Sequence, residues 1–165
     1  MIRKALPSDC LNLAALSLQV WLHTYAPQGI RSSLSQYALS TFTEEYFIKL
    51  LETESVDIRV FEQDSHLIGF IVADLNSTFE GCSGYEIVTL YVSQHFHGKG
   101  VGRQLLKEIE HAHGCPFWLS AWVNNHDAIG FYHKLGFNIV GELTFNLEGE
   151  QHRNHVFAYT DTSCG

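Results

Sequence analysis

The run Gln94-His95-Phe96-His97-Gly98-Lys99-Gly100-Val101-Gly102-Arg103-Gln104-Leu105-Leu106 constrains this chain more than any other. Tyr85 to Ser93 ahead of it reads as a strand. Behind it, Val101, Leu105, Leu106, Ile109 and Ala112 share one face of a helix predicted over Val101 to His113. Three glycines at alternate positions join the two. Without a Cβ, glycine can turn sharply and bring backbone close to a ligand. The first amides of a helix lack intrahelical acceptors, and the macrodipole adds partial positive charge there. A strand that empties through glycines into a helix is therefore suited to hold a phosphate. Two familiar phosphate motifs do not fit. A P-loop needs Lys and then Ser or Thr after its last glycine, whereas Arg103 follows Gly102. The dinucleotide fingerprint is G-x-G-x-x-G, whereas the spacing here is G-x-G-x-G. The plainer reading is a glycine-rich turn that merely joins strand to helix.

The rest of the chain frames that turn. Pro7 and Ser8 mark a helix start, followed by Leu11, Ala14, Ala15, Leu18, Trp21, Leu22 and Tyr25 at helical spacing. Pro27-Gln28-Gly29 ends it, and a short helical turn near Ser33 to Leu39 comes next. Thr41-Phe42-Thr43-Glu44 matches a capping box, with Phe42, Tyr46, Phe47, Leu50 and Leu51 on the apolar face behind it. Val56, Ile58 and Val60 alternate as in a strand, and Gln63 to His66 turns the chain back. Leu67 to Ala73 is apolar enough for a strand buried on both faces. Beyond the glycine turn come a strand, Phe117 to Val123, and a short helix, Asp127 to Leu135. A final hairpin pairs Phe137 to Asn146 with His152 to Tyr159. The order is ααβββαβαββ, with a short strand at Ile2-Arg3 in front. At 165 residues, with no linker or repeat, the expectation is one α+β domain over residues 1–165 with a mixed sheet.

Composition narrows the partners. No apolar run approaches the roughly 18 residues of a membrane span, so no membrane is expected. The net charge is −8 without a basic stripe, which argues against nucleic acid; an acidic field steers cationic partners, although most acidic proteins are acidic simply for solubility. Cys10, Cys82, Cys115 and Cys164 show no C-x-x-C pairing and read as thiols in a reducing, cytoplasmic setting. His111 and His113, with His95 and His97 nearby, have the residue types of a metal site. Yet two residues apart on a helix they point to different sides, so no metal is expected.

A second motif follows the first: Asn125-His126-Asp127-Ala128-Ile129-Gly130-Phe131-Tyr132-His133-Lys134-Leu135-Gly136-Phe137. Together the two segments resemble the GCN5-related N-acetyltransferase (GNAT) family, with its Q/R-x-x-G-x-G/A loop and its later N-x-x-A-x-x-F-Y-x-K-x-G-F helix. The strand Glu86 to Val92 looks like the family's fourth. The resemblance spans nearly the whole chain and implies the GNAT fold, a central mixed, mostly antiparallel sheet flanked by helices. It implies acetyl-CoA as acetyl donor, an amine as acceptor, and the homodimers common among its members.

The resemblance also assigns residues. The pyrophosphate of acetyl-CoA would rest on the amides of Gly98, Lys99, Gly100, Val101, Gly102 and Arg103, with the glycines leaving room for phosphate. His97 departs from the family's Gln or Arg, which puts that side chain's contact in question. The pantetheine arm would lie along main-chain groups of Leu90, Tyr91 and Val92, like an added strand. Asn125 corresponds to an asparagine that bonds this arm; read alone, it could cap the following helix. Tyr132 corresponds to a tyrosine at the CoA sulfur. A phenol of pKa about 10 can protonate a departing thiolate of about 8.5; read alone, it is a core aromatic. Glu86 is the candidate base, acting through water, or else a solvated edge residue with water alone carrying the proton. Direct amine attack would pass through an oxyanion held by strand amides. Trp21 and Tyr25 would wall the acceptor pocket or belong to the core, and the final hairpin, through Phe145 or His152, would form the other wall.

Overall fold

The computed structural model describes residues 1–159. In chain order the elements are β1 (Ile2–Lys4), α1 (Cys10–Tyr25), α2 (Ser32–Thr41), α3 (Glu44–Glu52), β2 (Val56–Gln63), β3 (His66–Asp74) and β4 (Tyr85–Val92). Then follow α4 (Val101–His113), β5 (Phe117–Trp122), α5 (His126–Lys134), β6 (Asn138–Leu147) and β7 (Glu150–Tyr159). The strands form one seven-stranded sheet in the order β1-β2-β3-β4-β5-β7-β6. Every neighbouring pair is antiparallel except β4 and β5. The fold is α+β with a mixed, mostly antiparallel sheet, as expected.

Several local expectations are corrected. A 3-10 turn, Pro7–Asp9, precedes α1, and the Asp9 carboxylate, not Ser8, accepts the Leu6 amide at 2.7 Å. The segment after α1 is a ten-residue helix rather than a single turn. Its Leu34 and Ala38 are buried against Trp21 and Leu147, so tertiary packing completes what a serine-rich sequence only hints at. The cap of α3 is Thr43, whose Oγ1 accepts the Tyr46 amide at 3.1 Å, not Thr41. The last hairpin is tighter than expected: Leu147 pairs with Glu150 around Glu148-Gly149, both at positive φ. Cys10 and Cys82 are free, but Cys115 is disulfide-bonded, so the expectation of four thiols fails. Cys164 lies outside the described residues.

Two layers of side chains cover the sheet. On one face Leu105, Leu106 and Ile109 of α4 pack with Ile71, Ile87, Leu119, Tyr132 and Phe157. On the other, Leu13 and Leu16 of α1 and Phe47 of α3 pack on Val60, Phe70 and Val72. β3 lies between them and is buried over six consecutive residues, Ile68 to Ala73. Among the described residues no helix is long and apolar enough to cross a membrane.

Candidate active site

The sheet opens where the glycine turn begins. β4 and β5 pair only at Tyr85 with Phe117 and Glu86 with Trp118. Beyond Glu86, β4 continues beside β3 to Val92, while β5 follows β7 to Trp122. A register shift against β3 leaves Val88 as an extra residue, and such bulges re-aim a strand. The wedge between the strands is part of a cleft of about 1070 Å³ reaching from α1 and α2 to the start of α4.

Backbone groups line this wedge unequally. The Ser93 amide donates to Ile68 O of β3 at 2.8 Å. Alternation along an antiparallel strand turns Tyr91 to the same side, so Tyr91 is corrected: its main chain faces β3, not the wedge. Leu90 and Val92 face the opening. His97 then intervenes, its Nε2 lying 2.9 Å from Val92 O. A carbonyl only accepts, so Nε2 carries the proton and donates. The departure at His97 thus has a structural use: it occupies one acceptor on the strand edge.

The glycine turn has the backbone the sequence called for. Gly98 and Gly100 sit at φ 77° and 80°, in the left-handed region that other residues avoid. The first bond closing α4 runs from the Gln104 amide to Gly100 O at 3.0 Å. Among the described residues, the amides of Gly98, Lys99, Gly100, Val101, Gly102 and Arg103 donate to no acceptor. A Cβ at Gly98 would meet nothing within 4 Å, so an anion has room there. At Gly102 an added Cβ would lie 3.2 Å from Phe131 Cζ, so its missing side chain serves the approach of α5, while its amide stays open with the others. Lys99 Nζ stands 5.2 Å above the Phe96 ring. Open amides, free space and a strand edge occupied, among the described residues, only at Val92 O together fit a pyrophosphate with a pantetheine-like arm.

The expected side chains converge on the same cleft. Asn125 does cap α5, its Oδ1 accepting the Ala128 amide at 3.3 Å, and the residue also lines the cleft. Glu86 is half-buried, and its Oε1 accepts the Ser77 hydroxyl at 2.6 Å. Burial lifts its pKa above the ordinary carboxylate value, Ser77 lowers it in part, and Asp74 raises it. Tyr132 is buried among Phe131, Phe137 and Phe157, and burial pushes its phenol well above the ordinary value, so it stays protonated at neutral pH. It is core on one side and cleft wall on the other.

Trp21 is 4 % exposed and largely core, whereas Tyr25 is half-buried; both reach the cleft. Sequence reasoning missed their partners Tyr37 and Trp122, which no motif marks, and put Phe42 on the apolar face of α3, whereas it follows α2 and lines the cleft. Phe145 does join this wall. His152 stacks behind it at 5.3 Å. His113 Nε2 instead meets Asp57 Oδ2 at 2.7 Å, on the surface between α4 and β2.

Comparison with known proteins gives this architecture its family. The chain belongs to the acetyltransferase (GNAT) family, whose model matches residues 20–137. A 63-residue stretch is 40% identical to a probable spermine N(1)-acetyltransferase of Bacillus subtilis subsp. natto, covering 35% of this chain and 41% of that relative. Another, of 58 residues, is 36% identical to the N-alpha-acetyltransferase RimI of Mycobacterium tuberculosis, covering 34% and 37% respectively. The chain thus matches less than half the length of either. In fold it is similar to the PaiA N-acetyltransferase of Thermoplasma acidophilum, solved with coenzyme A. The TM-score is 0.73 and identity 21%, over 94% of this chain and 96% of that one.

Proposed function

We propose that this chain transfers an acetyl group from acetyl-CoA to a primary amine by direct attack, with both substrates bound together in the cleft. The observation that carries this reading is the set of partnerless amides from Gly98 to Arg103 at the mouth of the β4–β5 wedge. They hold the pyrophosphate, while the Leu90 main chain, the Val92 amide and the Asn125 NH₂ align the pantetheine arm. Bound acetyl-CoA supplies a thioester carbonyl open to attack and a sulfur able to leave. An N–C bond forms as the C–S bond breaks. Glu86, raised toward working pH by burial, takes the amine's proton through water, and the Tyr132 hydroxyl gives one to the sulfur. The likeness to a spermine acetyltransferase supports a small cationic amine as acceptor. The likeness to an N-alpha-acetyltransferase supports a peptide amine as second reading.

Thermal unfolding with and without acetyl-CoA, joined to a thiol-release assay, tests the proposal. At ~100 times Kd, linkage adds about 2.7 kcal/mol of stability, on the order of several degrees for this size. Thiol release then requires an added amine. Tyr132→Phe keeps the stabilisation while kcat falls about 10²–10⁴-fold. Absence of any shift with acetyl-CoA overturns the reading, and near-normal turnover in Tyr132→Phe removes that residue's role alone.

A further inference from the structure

The far end of the cleft is walled by aromatic rings that stack on one another instead of presenting their faces. Trp122 and Tyr25 lie 4.6 Å apart at 20°, Tyr25 and Trp21 4.6 Å at 20°, and Trp21 and Tyr37 5.0 Å at 28°. One ring face cannot hold two neighbours at that distance, so both faces of Tyr25 and of Trp21 are covered. Phe145 meets Tyr25 at 84° and is itself stacked on His152. Along its middle, at Tyr25 and Trp21, the column therefore offers the cleft ring edges. An aromatic ring is negative on its face and positive at its edge, and a cation is held only over an open face. Edges suit hydrocarbon or the face of another ring.

Carboxylates are equally scarce. Although the chain is acidic overall, the acidic residues lining the cleft are Glu86 and Asp127. Asp127 stands in the first turn of α5, two residues after Asn125. Glu150, near the hairpin turn, is already held by both terminal nitrogens of Arg31 at 2.6 Å. Glu86 meets the reacting nitrogen, and neither α1, α2 nor the final hairpin brings a carboxylate into the cleft to pair with a second ammonium held against the rings. Burying a charge without a partner is strongly unfavourable.

We infer that the acceptor is a primary monoamine with an uncharged aromatic or aliphatic body, not a polyamine. This rests on the reading above that the cleft acetylates an amine, and it narrows that reading to a substrate class. The amine nitrogen meets Glu86, and the apolar body lies against the rings of Tyr25, Tyr37, Trp122 and Phe145.

The test is a steady-state thiol-release assay on the whole chain at saturating acetyl-CoA, comparing 2-phenylethylamine and hexylamine with putrescine and spermidine. The expected kcat/KM for 2-phenylethylamine exceeds that for spermidine at least about tenfold, the scale of leaving a buried charge unpaired. Phe145→Ala raises KM for 2-phenylethylamine and leaves KM for acetyl-CoA unchanged. Equal or faster turnover of spermidine overturns the inference while leaving the transferase reading intact. So does stabilisation by acetyl-CoA with no transfer to either monoamine. No stabilisation by acetyl-CoA instead strikes the earlier reading, and this one falls with it.

Discussion

Burial lifts the Glu86 carboxyl, and the Ser77 hydroxyl 2.6 Å away draws it part of the way back. Mutation can separate these two effects. A carboxylate base gives kcat/KM an acid limb, with the rate falling as pH drops through its pKa. Ser77→Ala removes a bond that favours the ionised form, so the limb moves to higher pH while the plateau above it stays close to wild type. Glu86→Gln removes the limb and lowers the plateau. A pH–rate profile of Ser77→Ala with its limb unmoved or shifted to lower pH would count against Glu86 as the titrating base. The sequence carried Glu86 into view only through its place on the fourth strand; Ser77, nine residues earlier in a polar loop, had no mark at all. Asn125 was legible in both its senses, and the structure makes these compatible: Oδ1 caps while NH₂ remains. His97 was visible as a departure, but its bond to Val92 O depends on how the turn folds back over β4.

Elements defined by local signals were read almost to the residue, and those defined by partners were not. α4 begins at Val101 and ends at His113, because glycines bound it and its apolar stripe has helical period throughout. α2 was under-read because only Leu34 and Ala38 are buried, and its stability comes from Trp21 and Leu147, far away in sequence. Glycines show the same division. Gly98 needs its residue type for a positive φ alone, whereas Gly84 also faces a wall: a Cβ there would lie 1.7 Å from Pro116 O. Gly84 leads into β4 just where β4 meets the start of β5, the last joined point before the wedge. Neither backbone can retreat without losing the Tyr85–Phe117 pairing. Gly84→Ala should cost on the order of 3 kcal/mol or more by overpacking and strain. Gly98→Ala should cost about 1–2 kcal/mol, the expense of a left-handed residue with a Cβ. Urea unfolding of the two variants gives the comparison. If Gly84→Ala is no less stable than Gly98→Ala, the close approach at Pro116 is not what holds that corner.

Across the whole molecule, two charged clusters join distant parts of the chain, and neither belongs to the cleft. Arg3 on β1 spans Asp9 at 2.8 Å and Glu62 at 2.6 Å. Arg59 on β2 spans Asp57 and Glu108 of α4, and His113 at the end of α4 closes on Asp57 at 2.7 Å. The second cluster fixes the helix that carries the amide cradle to the sheet behind it. Burial alone would raise Asp57, but the hydrogen bonds from Arg59 and His113 prevail and hold its pKa below 3.8; Asp9 is lowered chiefly by Arg3. Nothing in the sequence pairs residue 57 with 113, since the contact arises only after β2 and α4 pack. A lowered carboxylate favours the folded chain when ionised. Its stabilisation is therefore complete above the unfolded-state value and is lost as pH falls through the lower native one. Asp57→Asn keeps the shape but loses the charge-assisted bonds, costing about 1–3 kcal/mol at pH 7. Below pH 3.8 the wild type sheds the same advantage, so the gap between the two proteins narrows with acid. Denaturant titrations of both at pH 7 and at pH 3 measure that gap. A difference that stays constant or widens on acidification would mean that Asp57 stabilises the fold by something other than its charge.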